Sequence, residues 1–351
     1  SGTAFDADIG LTFGNPQLGT WKEGGGAEHW VVFLTSGYNN VPGTDGVSGG
    51  SGAGYLYVVD VATGQVLDKT STGDGDTTTP SGFARITAIT ANPLTDPLVT
   101  YVYGGDNQGR MYRFDYTAGG APAVVQMADA GAAQPVTTRP EITLCQVGGT
   151  AARTMVVYGT GRLLDLSDIA TTDTQSVYVL KDSGTGIPAV DWRTAAKMAQ
   201  MRLTKNTAGG TETYSIGGTT VDWGTQSGWY MDLDQNRGER VNLDPKVVSG
   251  TLNVVSNLPT SSSACSVGGT SNLYQLDVCT AQPLLVDSDN NAIVGRTLSN
   301  SSAAVGFIIV RLPSGALKLI ATTADGKNTP FDLPAATAQS ARKAGWRRVR
   351  E

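Results

Sequence analysis

Histidine is almost missing from this chain of 351 residues: there is one, His29. A serine–histidine–aspartate triad or a histidine-ligated metal would have to use it. It stands beside Trp30 on an apolar stretch with no Gly-x-Ser-x-Gly and no second imidazole, so it reads as a polar residue at a strand edge. No apolar run approaches 18 residues, which excludes a spanning helix. No strong amphipathic helical period occurs either; 335–343 comes nearest and is short. Helix-capped, phosphate-cradling glycine loops are absent, because the glycines fall between strands. Basic excess is lacking too. The net charge is -6 and the pI about 4.9, which disfavours nucleic acid as a partner. No catalytic residue, cofactor site or enzyme activity is therefore assigned. The chain shows no signal peptide, and Ser1-Gly2 reads as a cloning remnant, so an excised domain is expected.

What the chain does have is glycine, 45 residues of it, with abundant threonine and serine. That composition suits many strands joined by tight turns. The clearest stretch is Tyr101-Val-Tyr-Gly-Gly-Asp-Asn-Gln-Gly-Arg-Met-Tyr-Arg-Phe-Asp115, a strand, a turn tolerant of positive φ, and an alternating strand. Its second half recurs loosely at 54–64, 175–186 and 271–277, as an aromatic-rich strand ending in Asp. Such irregular repetition marks a radial β architecture. Strands are expected at 28–37, 55–59, 66–69, 85–90, 98–104, 110–115 and 123–127, and then at 154–159, 177–180, 212–216 and 228–232. A last set covers 240–241, 246–248, 252–255, 273–276, 303–310 and 317–321, with no linker-like break. The expected fold is all-β, one modified β-propeller over 1–351. At about 45–50 residues per four-stranded blade, the length accommodates seven blades.

Three cysteines leave one bridge open to argument. Cys265 and Cys279 flank a glycine turn and a strand and form the candidate disulfide, while Cys145, in an apolar run, reads as a buried thiol. Hard cations need convergent oxygens from a short loop. Asp287, Asp289 and Asn291 stand at positions one, three and five of such a loop, with the Ile293 carbonyl at seven. The turn glycine, the ninth oxygen and the closing acid are replaced by Ala292, Gly295 and Leu298. Asp232-Leu-Asp-Gln-Asn-Arg-Gly-Glu239 opens similarly but carries Arg237, and Gly73-Asp-Gly-Asp76 is a weaker cluster. Asp- and Asn-rich loops also serve simply as turns. Ala341 to Glu351 concentrates positive charge around Trp346 and Val349, as a docking tail or a final strand.

Several stretches follow in a telling order: Asp8-Ile-Gly-Leu-Thr-Phe-Gly-Asn-Pro16, Ser36-Gly-Tyr-Asn-Asn40, Gly54-Tyr-Leu-Tyr-Val-Val-Asp60, Pro80-Ser-Gly-Phe-Ala-Arg85 and the 101–115 hairpin. Then come Gln134-Pro-Val-Thr-Thr-Arg-Pro140, Tyr158-Gly-Thr-Gly-Arg-Leu-Leu164, Gly228-Trp-Tyr-Met-Asp-Leu233, Gly238-Glu-Arg-Val241 and Cys265-Ser-Val-Gly-Gly-Thr270. Together they resemble the C-terminal domain of the PilY-type type IV pilus biogenesis and tip-adhesin proteins, over nearly the whole chain. The resemblance implies a modified seven-bladed propeller exported to the cell surface at the pilus tip (the fimbrium). It further implies support of pilus extension against retraction, twitching motility and surface adhesion. Implied partners are tip minor pilins, the N-terminal adhesive region of the same chain, and a host or abiotic surface. The family's calcium loop precedes the Tyr-Val-Tyr-Gly-Gly-Asp stretch. Its positions fall here on Asn92, Leu94, Asp96, the Leu98 carbonyl and Thr100, leaving two plausible ligands and two stiffening prolines, Pro93 and Pro97. Calcium binding is thus expected to be lost or weak there, with the Asp287 loop the better candidate. Two other readings share the propeller: a periplasmic quinoprotein-like dehydrogenase, which needs a tryptophan docking repeat the six Trp do not make, and a glycan-binding propeller using 38–40 and Trp223.

Overall fold

The computed structural model describes residues 6–42, 49–146, 151–186, 192–194, 196–208, 211–260, 268–334 and 342–343. The chain divides into two units, one of Ser1–Ile142, Ser183–Val190 and Ala344–Glu351, the other of Thr143–Asp182 and Asp191–Lys343. In the first unit β1 (Gln17–Lys22), β2 (Glu28–Thr35), β3 (Tyr55–Asp60) and β4 (Val66–Ser71) form a four-stranded antiparallel meander. The chain then repeats the pattern with β5 (Ile86–Thr90), β6 (Val99–Gly105), β7 (Arg110–Asp115) and β8 (Ala123–Asp129). Alternation decides which face is buried. On β2, Val31, Phe33 and Thr35 point inward while Trp30, Val32 and Leu34 take the other face. Phe33, Leu56 and Val58 of the first meander share one core with Phe83, Val102, Tyr112 and Phe114 of the second.

The second unit is built around β9 (Glu141–Cys145), β10 (Arg153–Gly159), β11 (Ser176–Lys181), β12 (Met198–Ala208), β13 (Thr211–Gly218) and β14 (Gly228–Asp232). After these come β15 (Lys246–Val248), β16 (Thr251–Thr260), β17 (Gly268–Asp277), β18 (Leu285–Val286), β19 (Ala292–Ile293) and β20 (Gly295–Ser299). The chain closes with β21 (Ala304–Arg311), β22 (Leu317–Thr323), β23 (Asn328–Asp332) and β24 (Arg342–Lys343). The hairpin β12–β13 links two groups of strands, because β12 lies parallel to β14 while β13 pairs with β20. The result is a continuous eleven-stranded sheet, beside a three-stranded sheet, β21–β23. Trp229 is wholly buried in the unit's core, with its indole N–H donating to the Val278 carbonyl. Burial of such a ring contributes on the order of 5 kcal/mol before conformational entropy is subtracted.

The all-β expectation holds; among the described residues the only helical element is a 3-10 turn, Leu166–Ala170. Sheets of four, four, eleven, three and two strands do not by themselves yield a blade number. Strands that escaped the sequence reading include β1, β9, β12, β20 and β23. β12 shows the two-residue period only over Met201–Thr204, where Arg202 and Thr204 are exposed and Met201 and Leu203 buried; 198–200 and 205–207 break it. In the other direction, 240–241 is a single bridge to Asn257, not a strand. The helical candidate 335–343 is corrected at its end, where Arg342 and Lys343 pair with β9 as a strand; 335–341 lies outside the described residues.

Candidate functional site

The β6–β7 turn is the most heavily built polar centre of the first unit. Its last residue, Gly109, has φ +82, and a Cβ there would meet the Gly131 carbonyl oxygen at 2.2 Å, so only glycine fits. Asp106 is completely buried. One carboxylate oxygen accepts the Gln108 and Arg110 amides at 3.0 and 2.9 Å. The other faces the Ser81 hydroxyl at 3.1 Å and the Tyr112 hydroxyl at 3.2 Å. Tyr112 also reaches Asp74 at 2.8 Å, and one phenol hydrogen cannot serve both acids. Arg110 stands 3.5 Å from Asp74 and Asp106 and 3.6 Å from Asp129, so its charge is divided among three carboxylates. Burial therefore dominates, and the Asp106 carboxyl is pushed up to about 6 despite these contacts. This centre can hold a proton near neutral pH; it presents no activated nucleophile.

A contrasting construction supports the loop between β10 and β11 in the second unit. Asp168, also buried, accepts Arg162 Nε at 2.8 Å and Nη2 at 2.7 Å, plus the Leu164 and Asp165 amides at 2.9 Å each. Burial raises its proton affinity, but Arg162 and the two amides outweigh it and hold the carboxyl below the usual range. The buried Arg240 guanidinium donates to the carbonyls of Gly238, Arg162, Asp168 and Thr171. Nearby, buried Glu239 accepts hydrogen bonds from Ser256, Asn272, Tyr274 and Asn236. Sequence reasoning missed all three roles. The adjacency of Arg162 and Asp168 within one glycine-led loop was the only local signal.

The cysteine expectation is corrected. Cys279 bonds Cys145, with Cα atoms 5.6 Å apart and 134 residues between them in sequence. Cys145 ends β9 and is no free thiol, and Cys265 lies outside the described residues. Packing of the end of β9 against the turn after β17, which are not neighbours in the sheet, sets the pair, not local spacing.

The family calcium positions form a short capped turn. Asn92 Oδ1 accepts the Leu94 amide, and Asp96 Oδ1 accepts the Leu98 amide at 2.9 Å, so both side chains close their own turns. Leu94 projects outward with 91% of its surface exposed, and Thr100 bonds the Ile89 carbonyl from within β6. The Asp287 loop is likewise a capped turn between β18 and β19. Asp287 accepts the Asp289 and Asn291 amides and the Asn291 side chain, which lowers its carboxyl pKa. Ile293 is buried in β19. Asp232 is engaged by Ser176 and Arg193, and Asp76 caps Thr78 and Thr79. His29 lies on interior strand β2, 3.5 Å from Asp60 and 3.7 Å from Glu23. The glycan candidates are corrected: Trp223 is buried and bonds the Cys279 carbonyl, while Tyr38 and Asn40 are buried too. Apart from β24, the basic 341–351 stretch lies outside the described residues.

Residues 3–123 match the sequence family described as the PilY1 beta-propeller domain. Over 299 residues the chain is 26% identical to a type IV pilus biogenesis factor PilY1 homolog of Xylella fastidiosa, covering 78% of this chain and 19% of that protein. It is 24% identical over 317 residues to type IV pilus biogenesis factor PilY1 of Pseudomonas aeruginosa, covering 78% of this chain and 26% of that protein. The crystal structure of the Pseudomonas aeruginosa PilY1 C-terminal domain superposes with a TM-score of 0.68 at 20% identity, covering 93% of this chain and 73% of that one. The chain is similar to PilY-type domains in sequence and shares the fold of one. Its fold class is accordingly the all-β propeller, and it spans only about a fifth to a quarter of the curated relatives' length. The Asp106 turn lies inside the stretch matched to the family, and the Asp168–Arg240 loop lies beyond it.

Proposed function

We propose that this PilY-type chain acts in type IV pilus biogenesis as one exported propeller domain at the pilus tip, supporting extension against retraction, twitching motility and surface adhesion. The observation that carries the reading is the ordered series of PilY-type motifs together with the family match over 3–123. The Cys145–Cys279 bridge supports export, since such bonds persist in oxidising compartments. Tip minor pilins, the adhesive remainder of a longer protein and a host or abiotic surface are the partners in this reading. Deleting the domain from its full-length protein in a retraction-competent host should remove surface pili. Unchanged piliation would refute the assignment.

The same reading includes loss of the calcium switch. The oxygens of Asn92 and Asp96 serve their own backbone, and Leu94 supplies none. Calorimetric titration with Ca²⁺ should show no tight site. A submicromolar site abolished by Asp96→Ala would reverse this conclusion.

A further inference from the structure

The loop 232–239, whose acidic opening is interrupted by Arg237, holds a different arrangement around its asparagine. Asn236 lies between Lys205 of β12 and Glu239. The Lys205 ammonium donates to Asn236 Oδ1 at 3.0 Å and stands 2.7 Å from Glu212 Oε1. On its other side, Asn236 Nδ2 donates to Glu239 Oε2 and to the Tyr214 hydroxyl, each at 2.8 Å. Glu239 is held in that aim. Its second oxygen, Oε1, takes the Ser256, Asn272 and Tyr274 donors, and Glu239, Tyr214 and Tyr274 are all buried. The backbone is pinned as well, because the Lys205 amide donates to Gln235 Oε1 at 3.2 Å.

A primary amine, a carboxamide and a buried carboxyl in this order are the reactants and the catalyst of a lysine–asparagine isopeptide bond. In water an amine leaves a neighbouring amide alone, since the amide carbon is a weak electrophile and its nitrogen a poor leaving group. Fixed proximity and a proton carrier at the departing nitrogen remove both obstacles. The hydrogen bond to Oδ1 keeps Lys205 Nζ beside Cγ, the carbon it attacks, and Glu239 already sits on Nδ2. Other lysine contacts differ in kind: Lys69 and Lys318 meet carboxylates, and Lys181 meets backbone carbonyls.

We propose that Lys205 and Asn236 condense within the folded chain into an intramolecular isopeptide bond, with Glu239 as the acid–base group. Glu212 takes a proton from the Lys205 ammonium, and the free amine adds to Asn236 Cγ. Glu239 carries a proton from the attacking nitrogen to Nδ2, and the Cγ–Nδ2 bond breaks. Ammonia leaves, taking the proton held by Glu212 as ammonium. One Nζ–Cγ bond replaces one Cγ–Nδ2 bond, with no oxidant or cofactor, and both glutamates are restored. The link ties β12 to the loop after β14 and does not depend on the pilus-biogenesis reading. Mass spectrometry of the purified chain, reduced and unfolded, tests it. The chain should weigh about 17 Da less than its sequence, the mass of ammonia. Trypsin should release Leu203 to Arg237 as one cyclised peptide, because Lys205 is the only internal cleavage site there and its amine is blocked. Asn236→Ala and Glu239→Gln should keep the full sequence mass and be cut after Lys205. Full mass in the wild type, with cleavage after Lys205, would overturn the bond, and this reading stands even if Glu239→Gln fails to fold. The same mass loss with Lys205 still cleaved would also overturn it, since that is a succinimide at Asn236. A cyclised peptide from Glu239→Gln would overturn the role given to Glu239.

Discussion

Asp106 and Asp168 are both carboxylates buried under a loop, yet one is pushed toward the protonated state and the other held ionised. Neither side chain meets solvent, but Asp106 lies under more protein than Asp168, so burial weighs more heavily on it. How opposite charge reaches each differs as well. Arg162 contacts Asp168 through two nitrogens at 2.7–2.8 Å, and two amides converge on the second oxygen. Arg110 stands 3.5 Å from Asp106 and shares itself with Asp74 and Asp129, and the one Tyr112 hydrogen lies nearer Asp74. Charge compensation in a protein interior is a matter of depth and direct contact more than of the number of groups nearby.

The severest way to test this contrast is to weaken the second unit around Asp168. Replacing Cys145 and Cys279 with Ser removes a bridge across 134 residues, and loop entropy sets the expected loss at roughly 4–5 kcal/mol. Guanidinium unfolding of the oxidised wild type against the double variant measures it. A difference under about 1 kcal/mol would mean that the sheet alone already fixes β9. Next in size is Asp168→Ala, which strands two buried amides and releases Arg162, at a cost of about 3 kcal/mol in the same assay. A near-neutral result would show that Arg240 alone supports the loop.

The smallest effect separates the two acids by sign. The Asp106 carboxyl titrates near 6 when folded, above its ordinary 3.8, so the folded state holds a proton that the unfolded chain has released. Its stabilising protonation is complete below the unfolded value and is lost as pH rises through about 6. Between pH 5 and 8 the loss should be about 1–2 kcal/mol, and Asp106→Asn should flatten that slope. Asp168 runs oppositely. Its carboxyl is lowered, so its contribution is present above the ordinary aspartate range and fades only as pH falls into acid. Unfolding midpoints of wild type and Asp106→Asn at pH 5, 6, 7 and 8 decide the matter. An unaltered slope in the variant would remove Asp106 as the titrating group.

Much of the strand order was legible because hairpins are local. Residues 101–115 declared a strand, a turn and a strand from alternation and from Gly109, and β6 and β7 pair in that register. Turn chemistry alone could not tell that Asp106 is buried, since Ser81 and Asp74 arrive from a loop some thirty residues earlier. The same limit applies to the cysteines: Cys265 and Cys279 are near in sequence, but the fold sets β9 against the turn after β17. The β12–β13 hairpin was half-read, because in β12 the two-residue period survives only over Met201–Thr204 and the polar run after it carries none. For the candidate site, the motifs 158–164 and 238–241 were visible as words. Their meeting at Arg240 is a property of three-dimensional packing.

The bridge between Cys145 and Cys279 has a mechanical meaning as well. Under tension an unravelling segment lengthens by roughly 3.4 Å per residue. The covalent tie spans 134 residues, so it withholds roughly 450 Å of contour length from any pull applied outside it. Force reaching β9 from upstream passes through sulfur to the end of β17, and the strands between them carry none of the extension. The second unit can be bent or stripped of its edges under tension, but its middle cannot be paid out as slack.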